Sequence, residues 1–454
     1  MQLVAYGAQD VYLSGNPQIT FFKVVYRRHT NFAMESIEQV FNGAADFGRK
    51  VTATISRNGD LIHRTYLRVE LPSVTVKPGC SFRWLNWVGH ILIKSIEIEI
   101  GGQRIDKHYG DWLHIWNELT QTSGHQLGYA NLVGNTPQLT TPFTNTSTTA
   151  SVQFPGQILY IPLEFWWNRN PGLALPLIAL QYHEVKINLE LNDVRTCYWA
   201  QKADGTTDLS TATVEVPPLS SASLFVDYIY LDTDERRRFA QSAHEYLIEQ
   251  LQFTGDESTS QVYNKMKLNF NHPTKELIWV VQPDDNVSDI APKGKQWFNY
   301  TDAFDNSYET TFETAGAPGI AAGGANGVYV PVSLDGGNNP VSDALLQLNG
   351  HDRFSKRDGR YFSLVQPYQH HENVPKTGIN VYSFALKPEE HQPSGTCNMS
   401  RIDNATLNLT LTKATVEKTV GSSTTSRSAK VRVYAVNYNV LRIMSGMGGL
   451  AYSN

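Results

Sequence analysis

Cysteine is scarce in this chain of 454 residues: Cys80, Cys197 and Cys397 are far apart and odd in number. They form neither a disulfide framework nor a zinc-binding spacing, and they fit synthesis in a reducing compartment. Charge is scarce too, at 18% of residues against roughly 25% in an average globular chain. The 38 Lys and Arg are outnumbered by 43 Asp and Glu, for a net charge of −5. That excludes the large basic excess of a dedicated nucleic-acid coat. Long apolar runs are missing. The longest, Gly172 to Leu180, is interrupted by Pro176, whereas a spanning helix needs about 20 apolar residues. The opening Met1-Gln2-Leu3-Val4-Ala5-Tyr6-Gly7 has no basic stretch followed by an apolar core, so no signal peptide is expected.

Catalytic signatures are absent as well. No phosphate-binding loop, nucleophile elbow, zinc-protease helix or EF-hand pattern occurs. Gly446-Met447-Gly448-Gly449 follows a strand with no room for a helix behind it, which argues against a phosphate site. His370-His371-Glu372 is the densest ligand-type cluster, but neighbours on an extended chain face opposite ways, so a surface loop is expected. Asp284-Asp285 lacks the spaced oxygen ligands of a calcium loop and reads as a solvated turn. Glu97 and Glu99 share one face of a predicted strand. They are either the polar face of an amphipathic strand or a glycosidase-like carboxylate pair. Arg236-Arg237-Arg238 reads as solvated charge paired with nearby acids, with an anion patch as the alternative. No cofactor or metal site is expected. Six glycosylation sequons occur, at Asn145, Asn286, Asn299, Asn398, Asn404 and Asn408, and they matter only if the chain meets a glycosylating machinery.

What the chain does have is alternation. Hydrophobic residues make up 41% and aromatics 11%, ample for packed cores. Ile91 to Ile100 alternates isoleucine with Lys94, Ser95, Glu97 and Glu99, and Gly101-Gly102 then turns the chain. Asn58-Gly59 reads as a type I′ hairpin turn between two strands. Further strands are expected over 67–71, 158–165, 185–191, 224–231, 277–281, 381–386, 405–411 and 430–438. Only two helices are convincing, Asp111 to Leu119 and a short one capped by Thr233. Seven of the nine tryptophans, Trp84 to Trp199, fall in the first half, where they are core or interface anchors.

The sequence repeats itself. Asp60-Leu61-Ile62 has a counterpart in Glu276-Leu277-Ile278, and Ile98 to Gly102 in Leu346 to Gly350. Leu159-Tyr160-Ile161 matches Val381-Tyr382-Ser383, Leu189-Glu190-Leu191 matches Leu409-Thr410-Leu411, and Val226-Asp227-Tyr228 matches Val433-Tyr434-Ala435. The order is kept throughout. Two tandem all-β domains of about 215 residues follow, each with about eight strands: a double jelly roll with long loop insertions and few short helices. An immunoglobulin-like sandwich, at about 100 residues, fits the repeat length less well. The polar stretches Gln121 to Gly156 and Gly316 to Asn339 read as exposed or mobile insertions, and Gly421 to Ser428 as a hairpin tip.

More specific blocks carry a resemblance. They are Gln2 to Leu13 running on through Gly15 to Lys23 and Tyr26-Arg27-Arg28, then Ile100 to Lys107, Pro171 to Ile178, Asn271 to Lys275, Gln392 to Asn398 with Ser400 to Asp403, and Asn439 to Gly446. Together they resemble the major capsid proteins of the nucleocytoplasmic large DNA viruses, nearest the algal-virus branch, with iridovirus and marseillevirus relatives. The resemblance implies a double jelly roll, a structural rather than enzymatic role, and a homotrimeric, pseudo-hexagonal capsomer that tiles an icosahedral capsid. It further implies contacts with neighbouring capsomers and with minor capsid proteins under the shell. An internal membrane would lie nearby without being spanned, nucleic acid would not be bound directly, and assembly would take place in the host cytoplasm. The implied division is an inner-side arm over 1–28, a first roll over 29–231, a connector over 232–245 and a second roll over 246–454. Gln121–Gly156 and Gly316–Asn339 would be outer loops, and relatives often carry glycans there. The competing class is a carbohydrate-binding or carbohydrate-cleaving double β-sandwich, which needs a tryptophan-lined groove beside a carboxylate pair. A minor capsid or penton protein is a third reading, but one roll is usual there.

Overall fold

A computed structural model describes residues 7–18, 28–289, 291, 294–304, 338–420 and 423–452. Most of the expected loop Gly316–Asn339, part of the arm 1–28 and the very tip of the hairpin 421–428 lie outside these residues. The first roll is built from β1 (Phe32–Val40), β2 (Lys50–Thr54), β3 (Leu61–Glu70), β4 (Ile93–Ile100), β5 (Gln103–Tyr109), β6 (Ile158–Pro162), β7 (Val185–Leu191) and β8 (Ser221–Leu231). The second is built from β9 (His244–Phe253), β10 (Tyr263–Leu268), β11 (Pro273–Pro283), β12 (Val341–Leu348), β13 (His351–Asp352), β14 (Ile379–Ser383), β15 (Ala405–Leu411) and β16 (Ala429–Met444). The strand order is β1-β8-β3-β6 over β2-β7-β4-β5 in the first roll and β9-β16-β11-β14 over β10-β15-β12-β13 in the second. Adding eight to every label maps one topology onto the other. Two four-stranded antiparallel sheets in this order make a jelly roll, so the chain is a double jelly roll.

Alternation makes these strands because one face of each is dry. In β7 and β15 every second residue is buried and the residues between are half-exposed. All five sequence repeats fall on equivalent strands: β3/β11, β4/β12, β6/β14, β7/β15 and β8/β16. For two of these strand types the match extends to register. Leu189 pairs with Ile96 and Leu409 with Ala344, while Ile187 pairs with Ile98 and Leu407 with Leu346. On β6/β14 it holds only strand for strand, since Leu159 faces Val69 but Val381 faces Ile278.

Four expectations are corrected. Asn58-Gly59 is not a hairpin turn: β2 and β3 lie in different sheets, and neither residue has a positive φ. Gly59 is needed for closeness instead, because a Cβ there would sit 2.7 Å from Tyr228 Cβ. Turns with two consecutive positive φ values occur at Gly101-Gly102, Asn349-Gly350 and Ser445-Gly446. The last of these closes a hairpin between β16 and Met447–Leu450, which gives the C-terminal glycines their role. Second, Gln121–Gly156 is not a free loop. It contains a helix over Gln126–Leu132 and buries Tyr129, Val133 and Leu139. Its strands Phe143–Thr144 and Val152–Phe154 pair with Ser81–Trp84 and Val74–Val76, which in turn pair with Tyr198–Gln201 and Val214–Glu215. The β3–β4, β5–β6 and β7–β8 connections thereby gather at one end of the roll. Third, the helix between the rolls, Thr233–Gln241, is capped by Asp232, whose side chain accepts from Glu235 N, not by Thr233. Fourth, β9 begins at His244, inside the segment 232–245 expected as connector.

Candidate functional site

The helix expected over 111–119 forms as α1, Gly110–Thr120, directly after β5. Gly110 starts it because a Cβ there would lie 2.1 Å from His90 O. Trp112, Ile115, Trp116 and Leu119 recur at i, i+3, i+4 and i+7 and make one apolar stripe. That stripe packs on the outer face of the second roll, against Ile278, Val280, Ile379, Val381, Tyr434 and Val436, with Leu251 and Phe253 at the margin. On its other side Leu113 joins the core of the first roll. One helix thus seals the seam between the rolls.

Charges lock the same seam. Arg169 of the first roll reaches Glu249 of β9 at 2.6 Å, and its guanidinium sits 3.9 Å from the centre of the Trp116 ring. Glu249 also meets Lys275 at 2.7 Å, and Lys275 is wholly buried. Arg432 on β16 bridges Asp111 at the start of α1 and Asp256, each at 3.0 Å. The Leu251 amide donates to Asp106 Oδ1 at 3.1 Å, and Gln250 Nε2 donates to Ile105 O. Trp297 Nε1 donates to Thr196 O at 2.9 Å. Sequence reasoning did not find this seam, although the spacing of its tryptophans was visible.

The candidate chemical residues do not converge on a reaction centre. Glu97 and Glu99 line the polar face of β4. Glu97 lies 3.5 Å from Lys50 and 4.0 Å from Lys107, and Asn188 Nδ2 donates to both carboxylates. Trp84, Trp112, Trp166, Trp167, Trp199 and Trp279 are fully buried, so none of these six lines an open sugar groove. Arg236 pairs with Asp60 at 2.9 Å and Asp285 with Arg427 at 3.2 Å, the bland readings of both motifs. The His-His-Glu cluster departs from its expected surface loop. The His371 side chain is buried between Glu276 at 2.8 Å and Glu389 at 2.7 Å, whereas His370 bonds Leu386 O. Burial alone would lower the His371 pKa, but the two carboxylates override it and hold it up to about 9. No cluster of three metal-ligand side chains occurs among the described residues.

The sequons are mostly closed. Asn145 and Asn286 are buried, with Nδ2 donating to Val76 O and Ala150 O in one and to Asn299 O and Thr301 O in the other. Asn299 and Asn408 are half-buried, donating to Gln296 and Ala303 and to Gln347. Asn398 and Asn404 are exposed, and both lie on the β14–β15 connection.

Two buried histidines beside the seam give a pH expectation. His90 stacks on Trp87 and bonds Tyr129, and His114 stacks on Phe298 at 4.2 Å. Burial pushes His90 down to about 3; burial, then His90 and Lys376, hold His114 well below its usual value. Both rings are neutral in the fold, and unfolding lets them take up protons. The stability this confers is complete above about pH 6.5, the unfolded value, and drains away as the pH falls toward the folded values. His371 acts in the opposite sense, losing its contribution as the pH rises from about 6.5 through about 9. The melting temperature of the wild type should therefore fall from pH 6.5 toward 4 more steeply than that of His114→Phe. Parallel slopes would disprove the assignment.

A family model described as the N-terminus of the major capsid protein matches residues 20–232, and one for the large eukaryotic DNA virus major capsid protein matches 235–449. The chain belongs to the major capsid proteins of large eukaryotic DNA viruses. This capsid protein is 56% identical to the major capsid protein of Phaeocystis pouchetii virus, over 100% of this chain and 99% of the relative. It is 44% identical to that of Paramecium bursaria Chlorella virus 1, with the same coverage. Among solved structures it is similar to the quasi-atomic model of the PBCV-1 virus capsid, with a TM-score of 0.68 and 38% identity over 96% of this chain and 100% of that one. The Faustovirus major capsid protein shares the fold, with a TM-score of 0.72 at 13% identity over 97% and 94% of the two chains. The capsid protein is a structural component of the virion shell, not an enzyme.

Proposed function

We propose that the capsid protein self-associates into a homotrimeric, pseudo-hexagonal capsomer that tiles the faces of a large icosahedral virion. The observation that carries this reading is the repeated topology. Each chain supplies two rolls of one strand order, joined by a buried seam, so three chains supply six similar wedges and a threefold object fills a sixfold lattice. The arm 1–28, a first roll over 29–231, the connecting helix Thr233–Gln241 and a second roll from His244 onward are the parts of that capsomer. The end that gathers the β3–β4, β5–β6 and β7–β8 connections faces outward. The arm enters β1 from the other end and meets minor capsid proteins above an internal membrane that the chain does not span. Among the described residues no helix is long and apolar enough to cross one. The net charge of −5 supports a shell without direct nucleic-acid contact; assembly in the host cytoplasm belongs to the same proposal. The exposed sequons Asn398 and Asn404 lie at the inward end, which makes them poor acceptors for outer-surface glycans.

Light scattering on the purified chain tests the trimer. The expected mass is three times 50.9 kDa, about 153 kDa. A folded monomer stable at micromolar concentration would overturn the reading.

A further inference from the structure

Trp112 Nε1, His108 Nδ1 and Arg169 Nε are buried at the seam, and none of the three has a hydrogen-bond partner among the described residues. Native folds rarely keep such atoms unpaired, because each has given up its bonds to solvent. All three residues line one small cavity, together with Glu164 of the first roll and Val436 of the second. The cavity offers about 10 Å³, about the room that one water molecule needs. Burial raises the Glu164 pKa against the pull of Arg169 and His108, so its carboxyl group is poorly solvated there. The cavity also interrupts a chain of hydrogen bonds. Leu251 N on β9 donates to Asp106 Oδ1 at 3.1 Å, and Asp106 Oδ2 lies 2.9 Å from His108 Nε2. On the far side, Arg169 Nη1 donates to Glu249 Oε2, also on β9, at 2.6 Å, and Nη2 donates to Glu164 O at 3.1 Å. The chain leaves the second roll and returns to it, with a gap between His108 Nδ1 and Arg169 Nε.

We propose that this cavity is a binding site for a single ordered water molecule, which closes the polar chain across the seam. Water offers two lone pairs and two protons, and the site presents a partner for each. Trp112 Nε1 and Arg169 Nε can only donate, so they take the lone pairs. The Asp106 carboxylate keeps the His108 proton on Nε2, which leaves Nδ1 as an acceptor. The Glu164 carboxylate accepts as well, and these two take the protons. The two N–H donors and the Arg169 charge reject a cation, while Glu164 and the Nδ1 lone pair reject an anion. The water gives a tryptophan of the α1 stripe its polar partner and ties it to the Arg169–Glu249 pair. The apolar stripe and the charged contacts of the seam then act as one unit.

Two measurements test the site. An experimental structure of the full chain, sharp enough to show ordered solvent, should place one water within about 3.2 Å of at least three of the four groups. No density there would overturn the proposal, and so would a direct bond from Glu164 to Arg169 Nε or to His108 Nδ1. A peak at metal-ligand distance from the carboxylate would overturn it too. In solution, oxygen-17 relaxation dispersion counts waters held for long times inside the protein. Val436→Ile adds one methylene to the cavity wall and should lose one such water per chain. Val280→Ile makes the same change elsewhere in the seam and should lose none. An unchanged count in Val436→Ile, or an equal loss in both variants, would count against the site. Circular dichroism reports whether the variants fold, and the wild-type structure decides the matter if Val436→Ile does not.

Discussion

Glu249→Ala is expected to destabilise the folded chain by about 3–5 kcal/mol, the usual cost of removing one partner from a buried ion pair. Glu249 is the shared acceptor of two cations. Arg169 comes from the first roll, and Lys275 has no exposed side-chain surface. Once the carboxylate is gone, Lys275 Nζ is left with the Pro388 carbonyl as its hydrogen-bond acceptor among the described residues and the Tyr438 ring 5.6 Å away. A carbonyl dipole does not balance an ammonium charge held out of water. The destabilisation comes from the stranded cation rather than from a large intrinsic strength of the pair. Replacing the whole set, Arg169→Met with Glu249→Leu and Lys275→Met, should therefore recover most of the loss. Urea midpoints followed by tryptophan fluorescence check both arms. A triple variant less stable than Glu249→Ala would show that the ion set stabilises the seam outright, against this reading.

The sheets were legible because their signal is local. Alternation along β7 and β15 gave both strands to the residue, and the β4/β7 register recurs in β12/β15 because both pairs bury the same face. What escaped depends on partners distant in sequence. Asn58-Gly59 has the composition of a hairpin turn, but whether its flanking strands share a sheet is decided by β7 and β8, more than a hundred residues on. The polar stretch 121–156 hid Tyr129, Val133 and Leu139, which are buried where its helices Gln126–Leu132 and Pro137–Thr140 pack on β6 and on the strand Ser81–Trp84 of another connection. His371 read as a surface loop residue because nothing near it announces Glu276, a residue of a different strand. Asp232 and Thr233 are both good caps side by side, and composition does not choose between them. The stripe Trp112, Ile115, Trp116, Leu119 was fully visible as spacing. Its target was not, since an amphipathic helix shows that a partner exists and not where it lies.

Trp112→Ala should change the manner of unfolding as well as its free energy. Trp112 is 1% exposed, lies 5.5 Å from Tyr434 and 5.6 Å from Trp116 between ring centres, and belongs to the cluster that joins the rolls. Truncating a buried tryptophan costs about 3–5 kcal/mol from lost burial and the cavity left behind. Here the loss falls on the seam and not on either roll's own core. Trp279 makes the contrast: it is equally buried, but its neighbours belong to the second roll alone. Trp279→Ala should weaken the second roll and, while the seam holds, carry the first with it in one transition. Trp112→Ala should separate the two, because each roll keeps an intact core while the surface that couples them is broken. Hydrogen exchange read on β7 and β15 distinguishes the cases. Unequal opening of the two strands is expected in Trp112→Ala. Equal opening there would mean that the rolls are coupled by contacts other than the apolar stripe of α1, such as the Arg169–Glu249 pair and the Leu251–Asp106 and Trp297–Thr196 hydrogen bonds.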